Sequence, residues 1–305
     1  MNENGDIDVL AIYGGNCEKI IKYSCSTCDQ CIKNNLLATV KYYKTYGPRY
    51  IGTLKLSQFS QWDTLISKGE ATDTDKSIIS AMSQNEANLD GIQAYDSEIL
   101  TAGAMQKTIN PKGQGEFAQQ VYEFKQQYPA AYKHLFEDCV WIGSSRKIMS
   151  YKGVTGEALK KALRQDFSTP TKSLQSSKAL GPLVCAIRSP LFQLKQIQDF
   201  IYRLNNVVLK IVPIGYKFPI INFLRTDLGR ATVLDQHVNH PGYVATDFAA
   251  ALNYTSKSYP DLIRGPYMEW SHSYERILLE YYGTHRRMTD AVKKYNNLKN
   301  QLPLP

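Results

Sequence analysis

Two acidic side chains and a hydroxyl lie close together in residues 83–106, which read SQNEANLDGIQAYDSEILTAGAMQ. Glu86 comes first, Asp96 follows it, and Thr101 comes after both. Inverting cleavage of a glycosidic bond needs a carboxylic acid on one side of the bond and a carboxylate that holds a water on the other. A hydroxyl beside the second carboxylate can orient the same water. These residue types at this spacing therefore indicate acid–base chemistry on a sugar.

The element that must position Glu86 is predicted to be a helix over residues 75–91. Ile79, Met82 and Leu89 share one face of it, and Glu86 falls in the same apolar stripe. A carboxyl group among apolar neighbours loses hydration, so its pKa rises, as a general acid requires. The alternative is a glutamate at the edge of the stripe that reaches water or pairs with a lysine.

The next segment, residues 92–116, must carry the other two groups. It lacks helical periodicity and contains Gly103, Gly113 and Gly115, which predicts a turn-rich region or a short β-hairpin. A helix with Glu86, a hairpin with Asp96 and a returning strand with Thr101 would form a compact site.

The remainder of the chain is predicted to be mostly helical. One helix over residues 29–46 should end at Gly47-Pro48, a usual stop signal. Apolar periodicity predicts further helices near residues 117–138 with a break at Pro129, near 155–166, from 194 to 208, and near 274–299 with an interruption at Gly283.

Polar stretches at residues 67–75 and 168–182 indicate boundaries. We therefore predict a mainly α fold of the α+β class in three consecutive parts. These are a helical N-terminal segment with a cysteine cluster (1–72), a catalytic core (73–170) and a helical C-terminal lobe that completes the cleft (171–305).

The composition is that of a globular protein with an anionic partner. The chain has 305 residues, 43% of them hydrophobic, and a formal net charge of +8. Positive charge favours approach to nucleic acid or to an anionic wall polymer. The basic residues are scattered rather than arranged in the stripe that follows a phosphate backbone. The 21 tyrosines suit a sugar-binding groove, an interface or helix packing.

Four of the six cysteines lie near the start of the chain, at Cys17, Cys25, Cys28 and Cys31. Overlapping C-x-x-C spacings can bind zinc, but the second, distant pair typical of zinc sites is missing. Packing of small apolar thiols and disulfide formation in an oxidising compartment are the alternatives. We predict neither a metal site nor a cofactor.

The string from Asp96 to Gly103, D-x-x-x-x-T-A-G, resembles the active-site region of the lysozyme-like superfamily, including phage-type lysozymes and chitosanases. The turn G-A-M-Q at Gly103–Gln106 is similar to the G-L-M-Q turn of lytic transglycosylases and goose-type lysozymes. The longer string N-E-x-N-L-D-x-x-x-x-Y-D resembles lysozyme domains of type VI secretion effectors, in particular the C-terminal domain of TseP-like peptidoglycan hydrolases. The resemblance is specific over residues 77–125, and Ala87 departs from the expected glycine.

This resemblance implies a lysozyme-like fold with a small β-hairpin at the active-site cleft and additional helices. It also implies a muramidase that hydrolyses the β-1,4 bond between N-acetylmuramic acid and N-acetylglucosamine. Glu86 would be the general acid, Asp96 the base or electrostatic partner, and Thr101 would position water. Gln106 would contact substrate or brace its loop, and Tyr95 would contact substrate.

Other residues could supply competing chemistry. Asp90 is expected to be a helix-terminal residue, Glu98 a solvated hairpin charge, and Glu116 a weaker second carboxylate. The D-Q-H-V-N-H run offers Asp235, His237 and His240 to a metal, but no H-E-x-x-H motif accompanies it. No G-x-S-x-G elbow occurs, so a serine hydrolase has no support.

The expected partners are peptidoglycan glycan strands, an immunity protein and secretion-apparatus proteins, with neither nucleic acid nor a membrane span. The first residues are acidic where a cleavable signal peptide would be basic and then apolar. We expect synthesis in the cytoplasm and action in the periplasm of a target cell. A lytic transglycosylase, a non-catalytic wall-binding module and a nucleic-acid binder are the alternative functions.

Overall fold

The computed structural model describes residues 27–260 and 272–304 of the chain. Cys17 and Cys25 lie outside the described residues. The chain divides into two compact units, each assembled from two separate stretches. The first unit combines residues up to Leu54 with Ala87–Ile197, and the second combines Lys55–Glu86 with Gln198–Pro305. These units are interleaved along the sequence, whereas the three predicted parts are consecutive.

The described helices and strands are distributed along the whole chain. The α-helices are α1 (Cys28–Asn34), α2 (Trp62–Ser67), α3 (Asp73–Ser83), α4 (Glu116–Gln127), α5 (Pro129–Leu135), α6 (Gly156–Arg164), α7 (Leu180–Arg188), α8 (Pro190–Tyr202), α9 (Asp227–Asn239), α10 (Val244–Ser258), α11 (His272–His285) and α12 (Ala291–Gln301). The strands are β1 (Leu36–Tyr42), β2 (Thr45–Tyr50), β3 (Ile92–Gln93), β4 (Leu100–Ala102), β5 (Lys107–Ile109), β6 (Trp141–Gly143), β7 (Met149–Tyr151) and β8 (Gln175–Ser176). The predicted mainly helical α+β class is confirmed at this level.

The first unit is built on an antiparallel sheet of six short strands in the order β5-β4-β3-β2-β1-β8. A separate hairpin pairs β6 with β7. Its core joins the apolar face of the sheet to α4, α5 and α7, with Ile92, Leu100, Phe124, Trp141 and Phe192 among its fully or nearly fully buried members.

The predicted helix over residues 29–46 is wrong. The chain leaves α1 at Asn34 and forms the β1–β2 hairpin, in which Tyr42 pairs with Thr45. The sequence LLATVKY is rich in β-branched and aromatic residues, which favour a pleated strand. Gly47 lies inside β2 rather than after a helix. Glycine is needed there because a side chain would meet the Ala94 carbonyl oxygen at 2.4 Å.

The secondary-structure elements in the described part of the second unit are all helices, joined by turns and irregular segments. Helix α3 packs against α9 and α12, and α10 packs against α11. Thr72 Oγ1 accepts a hydrogen bond from the Asp75 backbone N–H at the start of α3, and the Thr72 N–H donates to the Asp75 carboxylate. The capping box fixes where α3 starts and presents Ile78, Ile79 and Met82 to the core.

The predicted extension of that helix to residue 91 is also wrong, since α3 ends at Ser83. The Ser83 hydroxyl donates to the Ser80 carbonyl oxygen at 2.7 Å, and the polar residues Gln84 and Asn85 follow in a turn. Short polar side chains compete with the helical backbone for hydrogen bonds, which ends the helix early. Glu86 therefore lies in the turn after α3 and not on a helical stripe.

No helix among the described residues has both the length and the apolar character that a membrane span requires.

Candidate functional site

The carboxyl group of Glu86 is buried although the residue is in a turn. Its side chain is 0% exposed. The Glu86 N–H donates to the Ser83 carbonyl oxygen at 3.1 Å, which holds the turn close to the end of α3. The burial predicted from an apolar stripe thus arises from residues far away in sequence.

Two side chains of the second unit bind the same oxygen of Glu86. Lys294 Nζ and Asn239 Nδ2 each donate to Glu86 Oε1 at 2.6 Å. Lys294 also donates to the Asn239 Oδ1 atom at 3.2 Å, so the three groups form a closed arrangement. Lys294 comes from α12 and Asn239 from the last turn of α9, and the two helices together build the surroundings of the carboxyl group.

Burial raises the pKa of Glu86, because the charged form loses its hydration. The ammonium of Lys294 and the hydrogen bonds from Lys294 and Asn239 oppose this effect, while the nearby negative charge of Asp235 adds to it. The net direction is upward, so Glu86 keeps its proton to higher pH than an ordinary glutamate.

A second buried ion pair lies beside this group. Arg286 Nη2 is 2.7 Å from Asp235 Oδ2, and both side chains are 0% exposed. Lys294 Nζ is 3.9 Å from Asp235 Oδ1. We call Glu86, Asp235, Arg286 and Lys294 the buried charge cluster. It holds two acidic and two basic groups, so their formal charges balance when all four groups are ionised.

The residue before Glu86 binds the same helix. Asn85 Nδ2 donates to the Lys294 carbonyl oxygen at 3.0 Å, and Asn297 Nδ2 donates to Asn85 Oδ1 at 3.1 Å. The Asn85-Glu86 pair therefore contacts both the backbone and a side chain of α12.

Asp96 lies in the loop between β3 and β4 of the first unit, and both of its carboxylate oxygens accept hydrogen bonds. Gln93 Nε2 donates to Oδ2 at 3.0 Å, and the Glu98 N–H donates to Oδ1 at 3.0 Å. Arg164 braces the loop from α6 by donating to the Asp96 and Glu98 carbonyl oxygens at 2.5 and 3.1 Å. Asp96 is half-buried and held in one orientation.

Thr101 is buried on β4, directly across from Gln93 of β3 and Thr108 of β5. Residues paired in this way lie on the same face of a sheet. Arg49 of β2 is paired with Gln93 and extends the row. The polar row of Arg49, Gln93, Thr101 and Thr108 thus crosses four strands, and Gln93 connects it to the Asp96 carboxylate.

The T-A-G-A-M-Q segment forms the turn from β4 to β5. Gly103 has φ +72°, and a side chain there would meet Gln196 Oε1 at 2.2 Å. Gln106 has φ +49°, and its N–H donates to the Gly103 carbonyl oxygen at 3.1 Å, which closes the turn. Only glycine fits at position 103 because Gln196, buried beside it, also donates to the Leu89 carbonyl oxygen.

The five predicted site residues divide between the units. Asp96, Thr101, Gln106 and Tyr95 belong to the first unit, and Glu86 is the last residue of a stretch of the second. Asp96 and Thr101 are both neighbours of Gln93, whose side chain donates to Asp96 and whose strand position is paired with Thr101. Tyr95 is half-buried, and its ring lies 6.1 Å from that of Tyr42.

The competing residues have structural surroundings of their own. Asp90 is fully buried and accepts hydrogen bonds from the Thr53 and Leu54 N–H groups at 2.8 and 2.9 Å, so it braces a loop rather than ending a helix. Glu98 is half-buried, and burial together with Asp96 raises its pKa although Lys160 opposes the shift. Glu116 is the first residue of α4.

The D-Q-H-V-N-H run lies at the end of α9, where Asp235 pairs with Arg286. Within residues 27–260 and 272–304, no three or more histidine, cysteine, aspartate or glutamate side chains converge as a set of metal ligands. Two of the clustered cysteines form disulfides instead, joining Cys28 to Cys139 and Cys31 to Cys185 with Cα–Cα distances of 5.7 and 5.9 Å.

Sequence reasoning missed Gln93, Lys294 and Asn239. Gln93 carries a detectable signal, since it alternates with Ile92 and Ala94 as an exposed strand position would. Lys294 and Asn239 carry none, because they lie 208 and 153 residues from Glu86 in the chain.

Comparison with known protein families, characterised proteins and solved structures finds no match to this chain.

Proposed function

We propose that the chain is a muramidase with a lysozyme-like fold, which hydrolyses the β-1,4 bond between N-acetylmuramic acid and N-acetylglucosamine in peptidoglycan. The observation that carries the proposal is the buried Glu86 carboxyl group, which Lys294 and Asn239 hold and whose pKa burial raises. A general acid must still hold a proton near neutral pH when it meets the leaving oxygen of the scissile bond. Two carboxyl groups suffice for this chemistry, so the proposal requires no cofactor.

In the proposed mechanism Glu86 protonates the leaving oxygen, which requires the bound glycan to displace part of the cover over its buried side chain. Its Oε1 atom accepts from both Lys294 and Asn239, so the proton of the neutral form belongs on Oε2. Asp96 would act as base or electrostatic partner, and Thr101 would orient the attacking water. Gln106 and Tyr95 would contact the glycan.

Lytic transglycosylation is the second candidate, favoured by the Gly103–Gln106 turn. That reaction needs a glutamate but no activated water, because the muramyl 6-hydroxyl attacks instead. The two hydrogen bonds that orient Asp96 support hydrolysis, since a carboxylate held in one orientation is suited to act as a base toward water.

We also propose that the protein acts outside the cytoplasm, in the periplasm of a target cell. Two disulfides support this, because such bonds form and persist in oxidising compartments. An immunity protein and secretion-apparatus proteins would then be its partners, as the resemblance to secreted effectors implies.

The test is digestion of purified peptidoglycan, with the products identified by mass spectrometry. The wild type should release reducing muropeptides, and Glu86→Gln should lower the rate by roughly 10²- to 10⁴-fold, the usual contribution of an acid catalyst. Glu280→Gln is the matched control, because Glu280 is a half-exposed partner of Lys299 in the same unit. Anhydro-sugar products would assign the protein to the transglycosylases.

The pH profile separates a catalytic Glu86 from a purely structural one. A general acid works only while protonated, so the wild-type rate should fall as pH rises through the raised pKa of Glu86. Each variant is first checked by circular dichroism to be folded. Equal products from folded Glu86→Gln would overturn the proposal and leave a non-catalytic module on the same scaffold.

A further inference from the structure

The turn of the β1–β2 hairpin carries an exposed tyrosine in an unfavourable backbone conformation. Tyr42 pairs with Thr45, so Tyr43 and Lys44 form a two-residue turn. Tyr43 has φ +53°, where turns of this length favour glycine, and its side chain is 83% exposed. A bulky residue that breaks a local rule without gaining burial indicates a role in binding.

The neighbouring rings connect Tyr43 to the Asp96 loop. The Tyr42 ring packs edge-on against Tyr43 at 4.6 Å between centroids, and it lies 6.1 Å from the ring of Tyr95 at an angle of 56°. Tyr95 directly precedes Asp96. The three rings therefore form a continuous surface, which we call the tyrosine patch (Tyr42, Tyr43 and Tyr95).

Backbone contacts fix the patch in place. The Ala94 N–H donates to the Pro48 carbonyl oxygen at 2.9 Å. A side chain at Gly47 would lie 2.7 Å from the Tyr95 Cα atom, so β2 can approach the loop this closely only with glycine. The hairpin and the Asp96 loop are thus built as one surface.

The charges around the patch restrict the partner. Lys44 is exposed in the turn beside Tyr43 and favours an anionic ligand, and the exposed Lys41 adds positive charge from the opposite face of β1. Asp96 directly follows Tyr95 and Glu98 lies in the same loop, so their negative charges would repel a polymer with a phosphate on every residue. A glycan that bears isolated carboxylates can place its neutral rings on the tyrosines and its acidic groups near the lysines.

We propose that the tyrosine patch is a glycan-binding subsite that takes an amino-sugar ring of a carboxylate-bearing strand. The proposal rests on the proposed muramidase function, because peptidoglycan is the polymer with this chemistry. Tyrosine suits the role since it offers a flat apolar face together with a hydroxyl that can bond to sugar groups. The patch would hold the strand beside Asp96 without taking part in bond cleavage.

The test measures binding of soluble peptidoglycan oligosaccharides with intact stem peptides to the full chain carrying Glu86→Gln, which prevents digestion. Adding Tyr43→Asn removes the ring while keeping a residue that tolerates the turn, and should weaken binding about tenfold. Tyr43→Phe should retain most of the affinity. Tyr202→Ala, at a position 62% exposed in the second unit, is the matched control and should change nothing.

Three outcomes decide the matter. If Tyr43→Asn binds as tightly as its parent, the subsite is overturned even where the wild type digests peptidoglycan. If binding depends on Tyr43 but the wild type releases no products, the subsite stands and the muramidase proposal fails. If a 20-nucleotide single strand of DNA binds more tightly than the glycan and loses its affinity in Tyr43→Asn, the patch binds nucleic acid and the glycan assignment is wrong.

Discussion

The two units differ in how distant segments are held together. The first unit is an antiparallel sheet with helices, and disulfides join its distant segments. The second unit is a set of helices, and buried ion pairs join its segments. The Cys28–Cys139 and Cys31–Cys185 disulfides both lie in the first unit. The buried charge cluster lies in the second. A disulfide acts mainly on the unfolded chain, while a buried ion pair balances lost hydration against attraction in the folded one. The units should therefore respond to different perturbations.

The two proposed catalytic carboxyl groups differ in the same way. Asp96 is half-buried and is oriented by an amide and a backbone N–H. Glu86 is fully buried and bound by an ammonium and an amide, with another carboxylate nearby. Different surroundings can therefore give two carboxyl groups different pKa values. Such a difference is needed when one group acts as an acid and the other as a base.

The largest expected effect is loss of a disulfide. Replacing Cys28 and Cys139 by serine opens a loop that spans 111 residues. The unfolding free energy of the first unit should fall by about 4 to 5 kcal/mol, since the released chain gains entropy. Hydrogen exchange should accelerate at α1 and β1 and stay unchanged at α9 and α12. Equal acceleration in both units would contradict the expectation that the disulfide stabilises only the first unit.

A similar loss in the second unit should follow from Lys294→Met at a pH above the raised pKa of Glu86, where the buried carboxylate is left without its cation. Breaking one side of a buried pair costs about 3 to 5 kcal/mol. The adjacent Lys293→Met is the matched control, because Lys293 is exposed and should cost less than about 0.5 kcal/mol. Denaturant unfolding measures both.

The double variant Lys294→Met with Glu86→Gln tests whether the loss of stability in Lys294→Met comes from the unpaired carboxylate or from lost packing. It removes the charge that Lys294 compensates, so it should recover most of the stability lost in Lys294→Met. Recovery would show that the penalty comes from an unpaired carboxylate. If the double variant is no more stable than Lys294→Met alone, the loss comes from packing of the lysine stem.

The smallest stability effect concerns Asp96. Gln93→Leu removes one donor from a half-buried carboxylate and should cost about 1 kcal/mol. Because the carboxylate then loses its orientation, kcat on peptidoglycan should fall about tenfold with KM unchanged. Gln127→Leu, at an exposed position of α4, is the control. A rise in KM with constant kcat would make Gln93 a substrate contact instead.

Sequence patterns predicted the elements whose hydrogen bonds are local. The break at Pro129 and the helix near residues 155–166 agree with α4, α5 and α6, because proline placement and helical periodicity act over a few residues. The irregular segment 92–116 contains β3, β4 and β5. Gly103 was identified as part of a turn, and its positive φ accounts for the residue type.

The same patterns failed where a distant contact competes with local preference. Residues 36–42 form a strand because β2 and β8 pair with it on its two sides. The local sequence pattern that predicts a helix carries no information about these distant strands. The turn at Gln84–Glu86 replaces a predicted helix because α12 offers hydrogen bonds to Asn85 and Glu86.

The sequence by itself determined the mainly helical class, the spacing of Glu86, Asp96 and Thr101, and the glycine that the T-A-G turn requires. Only the tertiary structure decided that Gln93 holds Asp96, that Lys294 and Asn239 bind Glu86, and which cysteines pair. The reason is physical. Backbone propensities act between near neighbours in the chain, whereas burial and charge pairing depend on which segments meet after folding.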